Sequence, residues 1–144
     1  MERELAVHPG AAVIVAHDDE CVYMVTQPRE AVGEQSLLEL PAGKLDEGEE
    51  PLAAARRELA EEIGKSAQSW ELLKRCWASP GFTDEAYHLY LATDLDDEPG
   101  ATAEEDERIE VEALPLDSLD QAIERCQDAK SLVGLLLLRG RLRA

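Results

Sequence analysis

The order of apolar and polar positions predicts short β-strands first, a helix near the middle, further strands, and helices towards the end of the chain. Apolar or alternating runs predict strands at residues 10–15, 21–27, 37–40, 70–78, 86–92 and 109–115. The polar segment at residues 17–20 predicts a hairpin turn between the first two strands, and residues 94–100 predict a loop. Strands and helices in this order indicate an α+β fold.

A helix is predicted between the third and fourth strands. Its apolar stripe consists of Leu52, Ala55, Leu59 and Ile63. Pro51 suits the first turn of this helix, and Gly64 is a typical C-terminal stop. Two further amphipathic helices are predicted at residues 117–126 and 130–141.

Three glutamates share one face of the central helix. At about 100° per residue, Glu58, Glu61 and Glu62 fall within about 100° of one another. Like charges so close repel one another and destabilise a helix, whereas a bound cation would reverse the sign of that interaction. Hard carboxylate oxygens suit Mg²⁺ or Mn²⁺, and Mg²⁺ often bridges carboxylates to substrate phosphates. The alternative interpretation of this pattern is a solvated acidic helix face.

Composition and charge limit the classes of protein to which the chain can belong. Its 144 residues, 44% of them hydrophobic and 32% charged, predict a single globular domain over residues 1–144. A net charge of −18 would repel a phosphate backbone, so a nucleic-acid partner is not expected. The sequence has no apolar run of spanning length, so no membrane partner is expected either. Three scattered cysteines predict free thiols in a reducing, cytoplasmic compartment.

One stretch of the sequence is more informative about function than the composition is. In this stretch, charged residues and glycines follow one another at fixed intervals. Its fixed positions are Gly43, Glu49, Arg57-Glu58, Glu61-Glu62 and Gly64. This spacing resembles the Nudix box, and the match extends to the aliphatic residue after the Arg-Glu pair. Lys65 departs from the family pattern, which usually ends on an aliphatic residue.

Segments on both sides of the box resemble the ADP-ribose pyrophosphatase branch of the Nudix hydrolases. They are residues 39–45 (ELPAGKL), residues 79–85 (SPGFTDE), in which Pro80 lies sixteen residues after Gly64, and residues 128–131 (DAKS). The resemblance covers nearly the whole chain from His8 onwards. It implies the Nudix fold, a mixed β-sheet sandwiched between α-helices.

The resemblance also implies an activity. A Mg²⁺-dependent enzyme, with Mn²⁺ as a possible substitute, would hydrolyse the pyrophosphate bond of ADP-ribose or a related nucleoside diphosphate sugar. The products would be a nucleoside monophosphate and a sugar phosphate. The partners implied are a small-molecule nucleotide substrate and a second copy of the chain in a homodimer. The alternatives are a Nudix hydrolase of an oxidised nucleoside triphosphate or a dinucleoside polyphosphate, and a non-catalytic nucleotide-sensing module.

By the same resemblance, the metal would be held on the acidic face of the central helix. The ligands implied are Glu58, Glu62, Glu61 as a shared ligand, and Ala42 through its backbone carbonyl. Glu61 and Arg57 would also belong to the catalytic machinery, Arg57 as an orienting residue. Glu49 is either a further ligand or the ion-pair partner of Arg57.

The attacking water needs a base, which the resemblance assigns to the acidic segment at residues 102–107 (TAEEDE). Glu105 matches the family's loop glutamate best, and Glu104 and Glu107 are the substitutes. The alternative interpretation is a solvated acidic loop.

The remaining candidates would bind the substrate. Arg29 matches an arginine that contacts phosphate in the family, and its planar fork suits a diphosphate. Glu85 would touch the distal ribose, in a pocket shaped by Pro80 and Gly81.

The start of the chain departs from this branch, whose members carry a longer segment before the strand at His8. Because that segment helps to grip the adenine, we expect weak discrimination between bases. His8, His17 and His88 show no metal-ligand spacing and are expected to be structural or exposed.

Overall fold

The computed structural model describes residues 2–100 and 108–144. The strands in this part of the chain are β1 (Ala11–Ala16), β2 (Cys21–Arg29), β3 (Glu34–Glu39), β4 (Ala42–Lys44), β5 (Lys65–Trp77), β6 (Ala86–Asp97) and β7 (Glu110–Pro115). The helices are α1 (Pro51–Glu58), α2 (Leu119–Arg125) and α3 (Ala129–Leu142), with short 3₁₀ turns at Glu30–Val32 and Leu116–Ser118. A π-helical turn, Leu59–Ile63, continues α1. None of these described helices combines the length and the apolar character needed to cross a bilayer.

The strands form two sheets. The first has the order β4-β1-β6-β5, in which β1 and β6 are parallel and the other neighbours antiparallel. The second has the order β3-β2-β7 and is antiparallel throughout. Together with the helices these sheets make an α+β fold with a mixed sheet, as the sequence predicted.

Strand β1 lies at the centre of the molecule, and all six of its residues are buried. One face of β1 packs in a core with Leu135 and Leu138 of α3 through Val13 and Val15. The other face packs in a core with Ala54, Ala55 and Leu59 through Ala12, Ile14 and Ala16. Strand β1 therefore has a helix on each side. Helix α1 and its π-helical continuation, which carry the acidic face, pack against this fully buried strand.

Helix α3 approaches β1 closely at Gly134. A Cβ atom at this position would overlap Leu40 Cδ1 and come within 3.0 Å of Val15 Cγ2. Glycine at position 134 therefore allows the helix to lie this close to the sheet.

The chain turns at residues 17–20, as predicted, but the two flanking strands do not form the predicted hairpin. Asp18 builds the turn, since its N–H donates to Cys21 O at 3.0 Å and its carboxylate accepts the N–H of Glu20 at 2.8 Å. After one bridge between His17 and Val22, β1 and β2 enter different sheets. The predicted turn is therefore present and is closed by this antiparallel bridge, but the pairing does not continue along β1 and β2, because an apolar run does not reveal its pairing partner.

Strands β5 and β6 are longer than predicted. Strand β5 starts directly after Gly64, and β6 continues to Asp97 through residues that were predicted to form a loop. The added ends pair with each other, with Lys65 opposite Asp97 and their side chains joined by a 2.8 Å ion pair. Cross-strand pairing, rather than an apolar pattern, holds these ends together.

The central helix starts and stops as predicted, but its interior differs. Pro51 lies in the first turn, and Gly64 ends the helix with a left-handed φ of 74°. Between them the α-helix gives way after Glu58 to the π-helical turn. The α-helical angles assumed for Glu61 and Glu62 therefore do not apply, since a π-turn is wider than an α-helical one.

Candidate active site

A cleft next to β4 and the end of α1 brings together most of the predicted site residues. Its volume is ≈ 640 Å³. The predicted residues that line it are Arg29, Ala42, Arg57, Glu58, Glu61, Glu62 and Glu85. A second concavity of ≈ 720 Å³, near Glu30 and Arg108, has none of the box carboxylates in its lining. The smaller cleft is therefore the candidate active site.

Arg57 organises the acidic side of this cleft. Its Nε and Nη2 donate to the two carboxylate oxygens of Glu49, both at 3.0 Å. Its Nη1 donates to Glu58 at 2.8 Å and to Glu61 at 3.3 Å, and Nη2 also donates to the carbonyl of Lys44. The hydrogen bond with Glu49 raises the pKa of Arg57 and lowers that of Glu49. Two roles were considered for Glu49, metal ligand and ion-pair partner of Arg57. The structure shows the ion pair with Arg57.

Glu58 lies against the backbone of Gly43. Burial raises the pKa of Glu58 to about 7; Arg57 opposes the rise and the Glu61 charge adds to it. A Cβ atom on Gly43 would overlap the Glu58 carboxylate group. The first glycine of the box therefore provides the space in which this carboxylate sits.

Glu62 and Ala42 meet across the cleft wall. Ala42 N donates to Glu62 Oε2 at 3.3 Å, and the Glu62 side chain is buried. Ala42 lies opposite Val13, and the neighbouring bond from Ile14 N to Pro41 O shows that Ala42 is in a non-hydrogen-bonded pair. Both its N–H and its C=O then point away from β1, so the carbonyl lies on the side of Glu62.

The donor set fits a divalent cation by its chemistry. Three carboxylates and a backbone carbonyl turned away from its ladder are hard oxygen donors of the kind that Mg²⁺ or Mn²⁺ takes. In residues 2–100 and 108–144, no group of three His, Cys, Asp or Glu side chains is arranged to hold a metal as it stands. In this arrangement, one oxygen of Glu58 and one of Glu61 accept hydrogen bonds from Arg57.

Two cationic side chains that share a buried carboxylate lie on another part of the cleft wall. Arg29 forms a bidentate pair with the buried Glu39, and Lys130 donates to the same carboxylate at 2.8 Å. Arg29 and Lys130 both line the cleft. Sequence reasoning identified Arg29 but missed Glu39 and Lys130, which are separated by 91 positions along the chain.

The predicted ribose end of the site contains a residue that sequence reasoning set aside. His8 Nε2 lies 3.1 Å from Glu85 Oε2, and both residues line the cleft. The N–H of Gly10 donates to His8 Nδ1, so the ring proton of neutral His8 is on Nε2, facing Glu85. Pro80 and Gly81 are exposed and do not belong to the cleft lining.

The three candidate bases, Glu104, Glu105 and Glu107, lie outside the described residues. Ile109, just beyond them in sequence, lines the cleft.

Comparison with known proteins shows a family similarity over most of the chain. Residues 6–134 match the family model of the NUDIX domain. The chain is 39% identical to the methanol dehydrogenase activator of Bacillus methanolicus and 38% identical to the ADP-ribose pyrophosphatase of Bacillus subtilis. Each match spans 142 residues, 96% of this chain and 76% of the relative. The crystal structure of an ADP compounds hydrolase superposes with a TM-score of 0.84 at 26% identity, over 93% of this chain and 72% of that one.

Proposed function

The chain belongs to the Nudix family, and from this we propose that it hydrolyses the pyrophosphate bond of ADP-ribose or a related nucleoside diphosphate sugar. The observation that carries the proposal is the cleft itself. It combines three box glutamates, an organising arginine and two further cationic side chains, Arg29 and Lys130, within one concave surface. Such a site offers direct charge-assisted hydrogen bonds and metal-binding carboxylates to a phosphate group, although the whole chain carries a net charge of −18.

The substrate class follows from the relatives that match nearly the whole chain. One of them is an ADP-ribose pyrophosphatase, and the structural neighbour is an ADP compounds hydrolase. Both names concern a diphosphate attached to adenosine. ADP-ribose is therefore the first substrate to test, with AMP and ribose 5-phosphate as the products.

Glu58, Glu61, Glu62 and the Ala42 carbonyl would hold a divalent ion, Mg²⁺ or, as a substitute, Mn²⁺. When bound, this ion neutralises diphosphate charge and lowers the pKa of water. Arg29 donates to a substrate phosphate, and Arg57 keeps the glutamates in position. Glu105 takes the proton of the water that attacks phosphorus, and the P–O–P bond breaks.

We also propose a domain organisation, an oligomeric state and a cellular location for the enzyme. Residues 1–144 form one catalytic domain, which the family match over residues 6–134 supports. The active form is a homodimer without nucleic-acid partners. Cys21, Cys76 and Cys126 are free thiols, which supports a reducing, cytoplasmic location.

A substrate panel tests the proposal. We expect the highest kcat/KM for ADP-ribose or another nucleoside diphosphate sugar, with GDP-mannose, UDP-glucose and dGTP measured in parallel in Mg²⁺ and in Mn²⁺. Chelation by EDTA should abolish turnover, and chromatography should identify AMP and ribose 5-phosphate. A preference for dGTP would overturn the substrate class, and no turnover of any nucleotide would favour a sensing module.

A further inference from the structure

Glu39 is a buried carboxylate to which the proposed reaction assigns no role. It ends β3, and its side chain is 1% exposed. Removing a carboxylate from water is costly unless cations and hydrogen bonds replace its hydration. Three bonds do so here: Arg29 Nε to Oε2 at 2.8 Å, Arg29 Nη2 to Oε1 at 3.0 Å, and Lys130 Nζ to Oε1 at 2.8 Å.

Of the two cations that bind Glu39, Arg29 is the more exposed in the cleft. Its side chain is 45% exposed and lines the cleft. The pair with Glu39 uses Nε and Nη2, and within the described residues Nη1 donates no hydrogen bond. Two parallel bonds fix the plane of a guanidinium group. The pair therefore holds the arginine still and leaves its Nη1 edge available to an anion.

Lys130 holds Glu39 from the other side. Its Nζ also donates to Asp128 at 2.8 Å, and Asp128 accepts the hydroxyl proton of Ser131 at 2.6 Å. The hydroxyl oxygen of Ser131 accepts the N–H of Leu40 at 2.8 Å. The bonds thus form a closed ring that starts at Glu39 and returns to the next residue. This ring fixes the buried carboxylate relative to the start of α3.

The cluster has no net charge, because two cations face two carboxylates. Its contribution to anion binding cannot come from long-range attraction. It can come from a donor that already has its final position, since a preorganised donor needs no rearrangement when the charged group arrives.

We propose that Glu39 is a positioning residue for the substrate diphosphate: it acts through Arg29, and Lys130 keeps it in place. The inference rests on the function proposed above and deepens it. A merely structural ion pair would stabilise the fold equally with or without an anion in the cleft. A positioning role predicts instead that replacing Glu39 matters for anion binding only while Arg29 is present.

A double-mutant cycle tests this difference. The variants are Glu39→Gln, Arg29→Met and the double variant, and the probe is the magnesium complex of inorganic pyrophosphate, with affinity measured by calorimetry. Glu39→Gln should weaken binding about tenfold in the presence of Arg29, a typical coupling for residues in contact, and less than about twofold in the Arg29→Met background. In turnover of ADP-ribose, the loss should appear in KM rather than in kcat.

Controls separate folding from positioning. Glu112→Gln breaks a comparable bidentate pair with Arg125 outside the cleft and should leave affinity unchanged. Lys130→Met replaces Glu39→Gln if that variant does not fold, and the same dependence on Arg29 is expected. Glu39→Asp, which keeps the charge, should recover part of the affinity.

Equal losses in both Arg29 backgrounds, or no loss at all, would overturn the inference, and so would a wild-type protein that does not bind magnesium pyrophosphate. Failure of the proposed function gives a different result. A coupled cycle in a protein that does not hydrolyse ADP-ribose would reject the substrate and support Glu39 as a positioning residue.

Discussion

Among single residues, Glu62 gives the most direct test of metal binding. The residue is 8% exposed, and Glu62→Gln keeps the shape while removing the charge. We expect kcat to fall by roughly two decades or more at saturating Mg²⁺, the scale of losing several kcal/mol of charge stabilisation. Steady-state kinetics measure this, with Glu112→Gln as the control. Near-wild-type turnover would remove Glu62 from the ligand set.

A substitution at Gly43 tests whether the position of the Glu58 carboxylate matters for metal binding. A methyl group at this position would overlap that carboxylate and displace it. Gly43→Ala should therefore weaken Mg²⁺ binding about 10–100-fold, the usual effect of changing the support of a metal ligand. Calorimetry measures the affinity. Gly140→Ala is the matched control, because a Cβ atom there meets no other atom within 4 Å. Unchanged Mg²⁺ affinity in Gly43→Ala would mean that Glu58 does not bind the metal.

The base remains a prediction from the sequence. Glu105→Gln should lower kcat by about 10²–10⁴-fold with little change in KM, because a base acts in the transition state. Glu104→Gln and Glu107→Gln serve as matched comparisons in the same segment. A large loss of kcat in one of these variants instead would identify that glutamate as the base. If all three variants keep their kcat, the base lies outside this segment.

The sequence could predict those cleft-lining residues whose spacing is local. Glu58, Glu61 and Glu62 lie close together in the chain, so a short pattern was sufficient to find them. Glu39 and Lys130 meet only through the fold, and His8 reaches Glu85 by the same means. Such contacts depend on tertiary packing, and no local pattern in the sequence predicts them.

Among the elements, α3 depends on a small residue where it crosses β1. Gly134→Ala should lower the free energy of unfolding by about 1–3 kcal/mol, since overpacking forces Leu40 out of its position. Thermal or urea unfolding measures this change. Gly140→Ala in the same helix should instead be neutral or stabilising, because alanine has the higher helix propensity. Equal effects of the two variants would contradict the packing argument.

Strands and helices could largely be placed from the sequence, but their pairing and exact geometry could not. Strand β4 has only three residues, too few for any periodic pattern. The ends of β5 and β6 are polar and depend on each other. The π-helical turn at Leu59–Ile63 has an apolar spacing that an α-helix shares, so only the structure distinguishes the two.

For the whole molecule, the net charge of −18 predicts a salt dependence. Mutual repulsion destabilises the compact state and is screened by ions. The Tm should therefore rise by a few degrees with NaCl. MgCl₂ at equal ionic strength should raise it further through specific binding, and Glu62→Gln should lose only that additional rise. A Tm that does not respond to NaCl would show that the repulsion is unimportant.

The ring that closes on Lys130 also has a consequence for biosynthesis. The ribosome adds roughly 5–20 residues per second, so Lys130 is made on the order of 5–20 s after Glu39. By the end of this interval the nascent chain contains β1 and the box, but until Lys130 is added the carboxylate of Glu39 lacks its buried lysine. The ring around Glu39 can therefore close only after Lys130 has been added, and a chain stalled before α3 would have the pair of Arg29 and Glu39 without the lysine that supports it.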